Sequence, residues 1–496
     1  MDQSRAIAVI LFVILFPIAM SLVIVVAGRV SEKLRDVLAL VTSAVTFLLT
    51  VYLYSFVAGG NVVQHTFFEI MPRLEISIRL DLLSFGLTVL ASFVWFLCTL
   101  YSIDYMAGDH ASGRYYTVLL FTLGSCLGIF LAGDFFTMFI FFELMSLIAY
   151  VLVVHEETEQ ALKAGFKYLV MVIIGGLALF FGIVIIFELV GTEALGVGVL
   201  IEEGSVLAVL VFVSFLIGFG MKAGMFPLHI WLPDAHPVAP SPASALLSGV
   251  MLKTGAYGLF RVIFHVFSNE LIFASHWNTV LGVLAVITIF LGSAVALTQD
   301  DIKRRLAYSS IGQMGYILLG LSIMNENAVT GAIFHMYTHA FMKSALFLAA
   351  GAVIWKTGIR NVSDMGGIGR RMPITMVCFS IAALALIGIP PLSGFVSKWV
   401  LVLGSLDAHI TIYALVLLVS SMLNALYYLP IIVPAFFKET SQDSNDTPFD
   451  IQEVPPRMLA PIIILALSAF LFGLLPTNVF YDLSRATAIF LLGMNP

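Results

Sequence analysis

Five charged residues lie deep inside long apolar segments of this chain, and they constrain its fold more than any other feature. They are Glu143, Lys222, Lys253, Lys343 and Lys398, whereas the other 20 of the 24 lysines and arginines lie in loops or at the edges of apolar runs. A charge at bilayer depth costs at least a few kcal/mol even on the most lenient insertion scale. Such groups are typical of proteins that move ions or protons, so we expect them to be functional.

The composition excludes a soluble protein. Of the 496 residues, 60% are hydrophobic and only 11% are charged, which is far from the usage of soluble domains. Apolar segments run from one end of the sequence to the other, so we predict a single all-α membrane domain over residues 1–496. The net charge of −6 is spread over loops and indicates no nucleic-acid partner.

No cofactor or metal centre is expected. Cys98, Cys126 and Cys378 are isolated in apolar runs and have neither disulfide nor metal-site spacing. The sequence contains no haem motif, no iron–sulfur cysteine cluster and no dinucleotide-binding fingerprint. A redox enzyme is therefore disfavoured, and any redox chemistry would belong to partner subunits.

Fourteen apolar runs are long enough to cross a bilayer, which takes about 20 residues of helix. The predicted spans, numbered 1 to 14, are residues 5–27, 37–57, 82–101, 115–132, 135–154, 165–190, 206–226, 241–265, 279–297, 304–323, 329–355, 373–403, 410–434 and 458–476. The apolar run at 7–27 is too long for the core of a signal peptide and has no clear cleavage site after it. The short tail after Pro476 is predicted to lie at the membrane interface.

Loop charges orient the predicted bundle. The richer side has fifteen basic residues: Arg29, Lys33, Arg35, Arg114, Lys163, Lys167, Lys303, Arg304, Arg305, Lys356, Arg360, Arg370, Arg371, Lys438 and Arg457. The other side has five, together with the acid-only group Glu188, Glu193, Glu202 and Glu203; the five are Arg5, Arg73, Arg79, Arg261 and Arg485. Cytoplasmic loops carry the excess of lysine and arginine. We therefore expect both termini on the outer side of a prokaryotic cytoplasmic (inner) membrane, and residues 438–457 to form a flexible cytoplasmic loop.

Two of the predicted spans contain a helix break. Span 7 ends in GFGMKAGMFP at residues 218–227, and span 12 is interrupted by GIPPLSG at 388–394. Proline removes a backbone donor and glycine loosens a helix, and paired interruptions in two halves are typical of inverted repeats around a transport site. Spans 7 and 12 are five apart and so cross in opposite directions. The alternative is two unrelated kinks.

We therefore predict two inverted five-helix repeats, formed by spans 4–8 and 9–13, each with one broken helix. The predicted parts of the domain are residues 5–101 (spans 1–3), 115–265 (first repeat), 279–434 (second repeat) and 458–476 (span 14).

Four longer motifs resemble the antiporter-like subunits shared by respiratory complex I, membrane-bound hydrogenases and Mrp-type cation/proton antiporters. They are KAGMFPLHIWLPDAHPVAPSPASALLSGVMLKTGAYGLFR (222–261), DIKRRLAYSSIGQMGYILLG (301–320), FHMYTHAFMKSALFL (334–348) and GIPPLSGFVSK (388–398). The resemblance covers spans 3 to 13. It is strongest to the D-type component of Mrp antiporters, because Lys398 stands where the M-type component of NADH-quinone oxidoreductase typically has glutamate.

The resemblance implies a role for each buried charge. Glu143 would pair with Lys222, and opening of that pair would release a proton from the lysine. Lys253 would be the central-axis lysine between two half-channels, and Lys398 the terminal exchange group. From the residues alone, the alternatives are a structural acid for Glu143 and a side chain that extends to the interface for Lys222.

His335, His339 and Lys343 follow each other at one-turn intervals and share a helix face. Imidazole both accepts and donates protons near neutral pH, which suits a relay. Zinc binding is a weaker alternative, because the pair lacks further acidic ligands. The structural alternative is a pair of core histidines bonded to hydroxyls such as those of Tyr337 or Thr338.

A second set of polar residues is expected to play supporting roles. Ser309, Ser310, Gln313 and Tyr316 begin span 10 and could hydrogen-bond a water chain or simply join helices. His229, Asp234 and His236 lie in the proline-rich segment after span 7 and either line a cytoplasmic mouth or cap helix ends.

The sequence thus predicts a proton-translocating antiporter-like subunit of a larger membrane complex, with protons moving from Glu143 and Lys222 through Lys253, His335, His339 and Lys343 to Lys398. Its expected partners are other membrane subunits of an Mrp-type or complex I-like assembly, protons, the lipid bilayer and, as an open question, Na⁺. The alternatives are an M-type proton-pumping subunit of NADH-quinone oxidoreductase and a stand-alone secondary transporter. The sequence leaves open which complex holds the chain and what energy drives it.

Overall fold

The computed structural model describes residues 3–71, 74–192, 194–196, 198–438, 451–474 and 479–494. Arg73, Glu193, Pro476 and most of the predicted loop 438–457 lie outside these residues. The described helices are α1 (Gln3–Val30), α2 (Glu32–Tyr52), α3 (Tyr54–Val57), α4 (Leu82–Tyr105), α5 (Ser112–Leu131), α6 (Phe135–Val153), α7 (Glu159–Val190), α8 (Val206–Ala223), α9 (Leu232–Val238), α10 (Ser241–Leu246), α11 (Leu252–His265), α12 (Asn269–Ala274), α13 (Trp277–Thr298), α14 (Ile302–Ile323), α15 (Glu326–Thr357), α16 (Ile368–Arg371), α17 (Pro373–Ile387), α18 (Ser393–Asp407), α19 (Thr411–Phe437), α20 (Pro456–Leu474) and α21 (Val479–Leu491).

The predicted all-α membrane fold is confirmed. Within the described ranges, thirteen helical segments are long and apolar enough to cross a membrane. Predicted span 12 is not among them, because it is divided into the shorter helices α17 and α18. With that broken span, the structure accounts for all fourteen predicted spans.

Both predicted breaks are present and resemble each other. Helix α8 is followed by Gly224 and α17 by Gly388, each in the left-handed conformation, with φ of 70° and 94°. Glycine adopts this conformation without a Cβ clash, so it is the usual residue after a helix end. A cis peptide bond follows each glycine, at Phe226-Pro227 and Pro390-Pro391. The chain then re-enters helix as α9 or α18.

Short polar side chains fix where several membrane helices begin. Asp134, Ser205 and Asn325 each accept a hydrogen bond from the backbone N–H three residues on, at the starts of α6, α8 and α15. Such caps satisfy donors that a helix start leaves unpaired. Because these helices begin at defined residues, the charged side chains within them occupy fixed depths in the bundle.

The interior and the periphery of the bundle are formed by different helices. Helices α10, α11, α14 and α15 are buried on nearly every side, whereas α1, α2, α7, α13, α19 and α20 keep an exposed apolar face. Helix α15 packs against α14, α17, α18 and α20. The charged residues of span 8 and span 11 therefore lie at the centre of the bundle.

A β-hairpin between α3 and α4 was not predicted from the sequence. Strand β1 (Val63–Met71) pairs antiparallel with β2 (Leu74–Leu80). The hairpin is anchored to the bundle through Ser77, whose hydroxyl donates to Asp134 at 2.5 Å. Burial raises the pKa of the Asp134 carboxyl, although its hydrogen bonds to Ser77 and Thr137 oppose that effect.

A buried ion pair joins the end of the hairpin to the core. Arg261 of α11 is fully buried and donates through both terminal nitrogens to Asp81, each at 2.7 Å. Burial raises the pKa of Asp81, but Arg261 and Arg79 outweigh it and hold that pKa well below its usual range. Arg261 is therefore not a loop charge, contrary to the sequence interpretation. The basic residues Arg35, Lys303 and Arg305 are also buried at helix starts rather than free in loops.

The C-terminal tail forms helix α21, which packs against α4 and α15. The sequence predicted only a short interfacial tail there. Phe480 contacts the ring of Phe341 at a centroid distance of 5.6 Å, so the helix is docked on the bundle.

Candidate functional site

The first charged group lies beside the break after α8. Lys222 is fully buried near the end of this helix, and its amine donates to the Tyr168 hydroxyl at 3.0 Å. Tyr168 donates in turn to the Ser146 carbonyl at 2.8 Å. The amine also lies over the rings of Tyr168 and Trp231, at 5.2 and 5.8 Å from their centroids. The aromatic rings and the tyrosine oxygen partly replace water around the ammonium group.

Glu143 lies near Lys222 but does not form a direct ion pair with it. No nitrogen–oxygen distance between the two described side chains is 4.0 Å or less, although their charges interact. Glu143 is half-buried, and its Oε1 has no hydrogen-bond partner. A Cβ added at Gly176 of α7 would lie 2.2 Å from that oxygen. The structure thus places the predicted partners close together with the pair open, and Gly176 provides the space for the carboxylate.

Lys253 is the centre of the arrangement. It is fully buried, and its amine donates to the Ser248 carbonyl at 2.7 Å. That carbonyl belongs to a π-helical turn, Leu247–Met251, inserted between α10 and α11. Such turns leave irregular backbone groups and often occur at functional sites. The same amine lies 2.8 Å from Nδ1 of His339 on α15.

His335 and His339 stack one turn apart on α15. Their ring centroids are 5.7 Å apart and their planes differ by 6°. His335 Nδ1 lies 2.8 Å from the Ser397 hydroxyl of α18, so neither histidine ring is held by Tyr337 or Thr338. The Nε2 atoms of both rings are buried without a protein partner.

Lys343 is held by α14 and α19 rather than by the histidines. Its amine donates to the Leu306 carbonyl at 3.0 Å and to the Tyr428 hydroxyl at 3.1 Å. The Ser309 hydroxyl lies 2.8 Å from the hydroxyls of both Tyr428 and Tyr427. A continuous chain of hydroxyls therefore leads away from Lys343.

Lys398 folds back onto the break in span 12. Its amine donates to the carbonyls of Leu386 and Ile387 at 2.7 and 3.1 Å, and to the Ser421 hydroxyl at 3.1 Å. The two carbonyls belong to the last turn of α17, where a helix leaves its acceptors unpaired and favours a positive charge. The helix break thus provides the acceptors that hold this lysine at membrane depth.

Asn424 of α19 connects the hydroxyl chain to the surroundings of Lys398. Its amide lies 2.8 Å from the Tyr427 hydroxyl and 3.2 Å from that of Tyr316. Turned so that its oxygen faces the donors, the amide accepts from Lys398 at 3.2 Å and from Gln313 at 3.1 Å. Asn424 therefore contacts groups from both ends of the network.

The proline-rich segment after span 7 borders a partly open pocket of about 340 Å³, whose lining includes Lys163, Lys167, Asp234 and Arg304. Asp234 pairs with Lys167 at 2.5 Å and with Arg304 at 3.3 Å. Asp234 therefore links α7 and α14 through ion pairs, and its place at a cytoplasmic mouth stays a prediction.

The two histidines of this segment are buried. His229 stacks on Phe226 at 6.0 Å, and His236 on Phe347 at 4.7 Å. Both ring nitrogens of His236 lack a protein partner.

The described part of the chain has one group of three possible metal ligands, Asp109, His110 and His155, whose donor atoms lie within 4.8 Å of one another. The Asp109 oxygen already contacts His155 Nε2 at 2.9 Å and accepts from the backbone N–H of Ala111 at 2.8 Å. Burial lowers the pKa of His155. These hydrogen bonds anchor the loop, and the three residues lie far in sequence from the four buried lysines.

Among the predicted proton-transfer residues, Lys253, His335 and His339 contact one another directly, whereas Lys222, Lys343 and Lys398 are each held by other groups. Ser310 contacts the Ser248 hydroxyl at 2.7 Å, and Ser309 and Gln313 lie in the network around Asn424. Five residues of the network were not predicted from the sequence: Tyr168, Ser397, Asn424, Tyr427 and Tyr428. The signal for the last three was a polar stripe on span 13, with Ser420, Asn424, Tyr427 and Tyr428 at helical spacing.

Two family profiles match the sequence. The profile described as NADH:quinone oxidoreductase/Mrp antiporter, TM, matches residues 132–424. The profile described as NADH-Ubiquinone oxidoreductase (complex I), chain 5 N-terminus, matches residues 70–116. The first match covers more than half of the chain and includes every residue of the predicted proton-transfer set.

Individual relatives are similar over most of their length. The chain is 36% identical over 416 residues to the N component of NADH-quinone oxidoreductase of Desulforudis audaxviator, covering 81% of this chain and 83% of the relative. It is 34% identical over 415 residues to the D component of the Na(+)/H(+) antiporter of Alkalihalophilus pseudofirmus, covering 82% of each. A chain of the Mrp complex from Dietzia sp. DQ12-45-1b superposes with a TM-score of 0.86 at 25% identity, covering 99% of this chain and 98% of the other.

Proposed function

Since this chain belongs to the NADH:quinone oxidoreductase/Mrp antiporter family and is an antiporter-like subunit of a multisubunit membrane complex, we propose that it conducts protons along its buried polar axis. The axis runs from Glu143 and Lys222 through Lys253 to Lys398, with His335, His339 and Lys343 between them. Other membrane subunits are its partners.

The contact between Lys253 and His339 is the single observation that carries this proposal. An amine and an imidazole 2.8 Å apart, both fully buried, form a donor–acceptor pair through which a proton can pass. Neither residue has a structural reason to be charged or polar at this depth, since apolar side chains would pack there at lower free-energy cost. The pair also joins the first predicted repeat to the second.

The four buried amines lack the carboxylate partners that would trap a proton. Among the described residues, none of Lys222, Lys253, Lys343 and Lys398 has an acidic oxygen within 4.0 Å. A fully paired lysine would hold its proton, whereas an amine that contacts only neutral oxygens and a ring nitrogen can pass it on. Charge repulsion between Lys253 and Lys343 would drive a proton onward once another arrives.

Water is expected to complete the path. Buried polar atoms are normally paired with protein or with ordered water. Glu143 Oε1, Gln313 Oε1 and Nε2 of both axis histidines have no protein partner. These atoms lie along the proposed route and mark where water molecules would bridge the remaining gaps.

Sodium ions are a poor fit to the same route. A hard cation needs several oxygen ligands, and the axis offers four amines with a single carboxylate, that of Glu143. We propose that Na⁺, if it is exchanged by the parent complex, crosses through a different subunit.

The parent complex is proposed from the similarity and from Lys398. The relatives include both the D component of an Na(+)/H(+) antiporter and the N component of an NADH-quinone oxidoreductase, at 34% and 36% identity. We favour the D-type assignment because the helix-break position carries Lys398 rather than glutamate. An M-type proton-pumping subunit is the second candidate, and any redox chemistry would then belong to partner subunits.

We further propose that both termini face outward from a prokaryotic cytoplasmic membrane. The distribution of basic residues supports this orientation even when the buried ones are left out: without Arg35, Lys303 and Arg305 twelve remain on one side, and without Arg79 and Arg261 three remain on the other. The division into residues 5–101, 115–265, 279–434 and 458–476 remains a proposal that the paired breaks after Gly224 and Gly388 support.

Transport by the complete complex in vesicles tests the proposal. The complex would be purified through a tag on this chain and reconstituted, with Na⁺ opposite and a potassium diffusion potential driving proton uptake. Lys222→Ala and Glu143→Ala should each lower the initial rate about tenfold or more. The control is Lys356→Ala, which removes an exposed lysine at the end of α15. Assembled Lys222→Ala complex that transports at the wild-type rate would overturn the proposal.

A further inference from the structure

We propose that protons pass from Lys343 to Lys398 through a hydroxyl chain centred on α19, formed by Tyr428, Ser309 and Tyr427, with Asn424 as a positioning residue at its end. This inference rests on the proposed proton conduction and assigns the route between two of its lysines. The three α19 residues, Asn424, Tyr427 and Tyr428, are not part of the proton route that was predicted from the sequence.

The hydrogen bonds show why the route leaves α15. Lys343 lies one helical turn beyond His339 but forms no hydrogen bond with it among the described residues; its partners are the Leu306 carbonyl and the Tyr428 hydroxyl. His335 leads instead to Ser397, whose hydroxyl donates to the Gly394 carbonyl at 3.1 Å. A carbonyl has no proton to pass on, so the hydrogen-bonded path from His335 ends at Gly394.

The α19 branch is continuous. Successive contacts are 3.1 Å from Lys343 to Tyr428, 2.8 Å from Tyr428 to Ser309 and 2.8 Å from Ser309 to Tyr427. All four residues are buried, and none of their side chains is more than 1% exposed. Each hydroxyl both donates and accepts, which is the requirement for a proton wire. These side chains come from three different helices, so the alignment is not a by-product of one helical face.

The proton balance is closed by concerted transfer. The Lys343 ammonium gives a proton to the Tyr428 oxygen as Tyr428 gives its own to Ser309, Ser309 gives its own to Tyr427, and Tyr427 releases one at the far end. A water molecule beside the Asn424 amide carries that proton to the neutral Lys398 amine. The net change is one proton moved from Lys343 to Lys398, with every hydroxyl restored.

Asn424 positions the end of the wire. A carboxamide does not readily relay protons itself, so its role is geometric. In the orientation that satisfies its neighbours, the amide nitrogen donates to the Tyr427 hydroxyl at 2.8 Å and the amide oxygen accepts from Lys398 at 3.2 Å. Asn424 therefore holds the Tyr427 hydroxyl and the Lys398 amine on either side of one amide group.

Conservative removal of hydroxyls tests the route. In the reconstituted complex, the Tyr427→Phe/Tyr428→Phe double variant should lower the initial proton-uptake rate about tenfold. Tyr101→Phe is the matched control, since this buried tyrosine donates only to the Leu348 carbonyl, at 3.0 Å. A second pair of variants controls for misfolding. Ser309→Ala should slow transport, and Ser309→Thr, which keeps the hydroxyl, should not.

The positioning role of Asn424 has its own readout. Asn424→Ala should slow transport and increase the solvent deuterium isotope effect on the rate, because proton transfer becomes limiting when the wire is misaligned. A merely structural role would leave the isotope effect unchanged, and that result would remove Asn424 from the proposal.

Lys222→Ala, measured in parallel, distinguishes a failure of the α19 route from a failure of the proposed proton conduction. If Lys222→Ala abolishes transport while the tyrosine double variant and Ser309→Ala both run at the wild-type rate, the α19 route is wrong and proton conduction stands. If Lys222→Ala also transports normally, the proposed function itself fails. Slow tyrosine and Ser309→Ala variants with a normal Tyr101→Phe support the route.

Discussion

The amine of Lys253 lies 2.8 Å from Nδ1 of His339, across 86 residues of sequence. This contact joins α11 of the first predicted repeat to α15 of the second at the fully buried centre of the bundle. The lysine is also held by a π-helical turn, through the Ser248 carbonyl. A buried donor–acceptor pair therefore lies where the two halves of the chain meet.

The Lys253–His339 contact predicts an asymmetric pattern of stability. His339→Leu should lower the free energy of unfolding by about 1–3 kcal/mol, because it removes one of the two acceptors of a buried amine and leaves only the Ser248 carbonyl. Lys253→Met/His339→Leu should recover most of that loss, since replacing both partners of a buried polar pair by apolar groups is often neutral or stabilising. Thermal unfolding of the purified complex measures both. A double variant less stable than His339→Leu would show that the pair itself supports the fold.

A substitution at Gly176 should displace the Glu143 carboxylate without altering its chemistry. The methyl group of Gly176→Ala would lie 2.2 Å from Oε1 of Glu143, so the flexible carboxylate must move. We expect slower proton transport with little loss of stability. Gly175→Ala is the matched control on the adjacent residue, because its new methyl clashes with the flexible end of the Met221 side chain, at 2.6 Å, and meets its other nearest neighbours at an ordinary 3.5 Å. Equal transport rates in the two variants would contradict a role for the position of Glu143.

Loss of the Tyr168 hydroxyl should slow proton transport through its effect on Lys222. Tyr168→Phe removes the oxygen that accepts from the lysine at 3.0 Å, while the ring that lies under the amine remains. We expect slower proton uptake in vesicles from a complex that assembles normally. Tyr257→Phe is the control, since its hydroxyl donates to the Phe130 carbonyl at 2.8 Å and contacts no axis lysine. Wild-type transport by Tyr168→Phe would leave the tyrosine a packing role only.

The buried pair of Asp81 and Arg261 predicts acid sensitivity. Asp81→Asn leaves the Arg261 charge uncompensated and should cost about 3–5 kcal/mol of stability at neutral pH. Because the folded-state pKa of Asp81 is depressed, its contribution is fully present above the unfolded carboxyl pKa of about 4 and is lost as pH falls further. The gap in thermal midpoint between wild type and Asp81→Asn should thus narrow in acid. The exposed Asp407→Asn is the control, and a gap independent of pH would argue against the ion pair.

The features predicted correctly from sequence are those encoded locally. Helix breaks follow from Gly224 with Pro227 and from Gly388 with Pro391, because glycine and proline act on their own backbone. The depth of the lysines follows from the length of the apolar runs around them. Fourteen spans and the charged residues within them could therefore be found without any knowledge of packing.

The features that were missed depend on contacts between distant segments. Lys343 was expected to continue the histidine series on its own helix, but its hydroxyl partner, Tyr428, is 85 residues away. The pairing of Glu143 with Lys222 stays a prediction from the resemblance; the two charges interact, but the side chains form no direct ion pair. The β-hairpin was overlooked because residues 63–80 lie between two strongly apolar spans and were treated as a loop.

The most direct test of the account replaces Lys253 by an apolar side chain of similar length and counts the protons that cross the membrane. In vesicles containing assembled Lys253→Met complex, the account predicts a stable complex whose potential-driven proton uptake falls to the rate of protein-free vesicles. Proton uptake at the wild-type rate through the same assembled complex would contradict it, because a proton route through the centre of the bundle would then not need this amine.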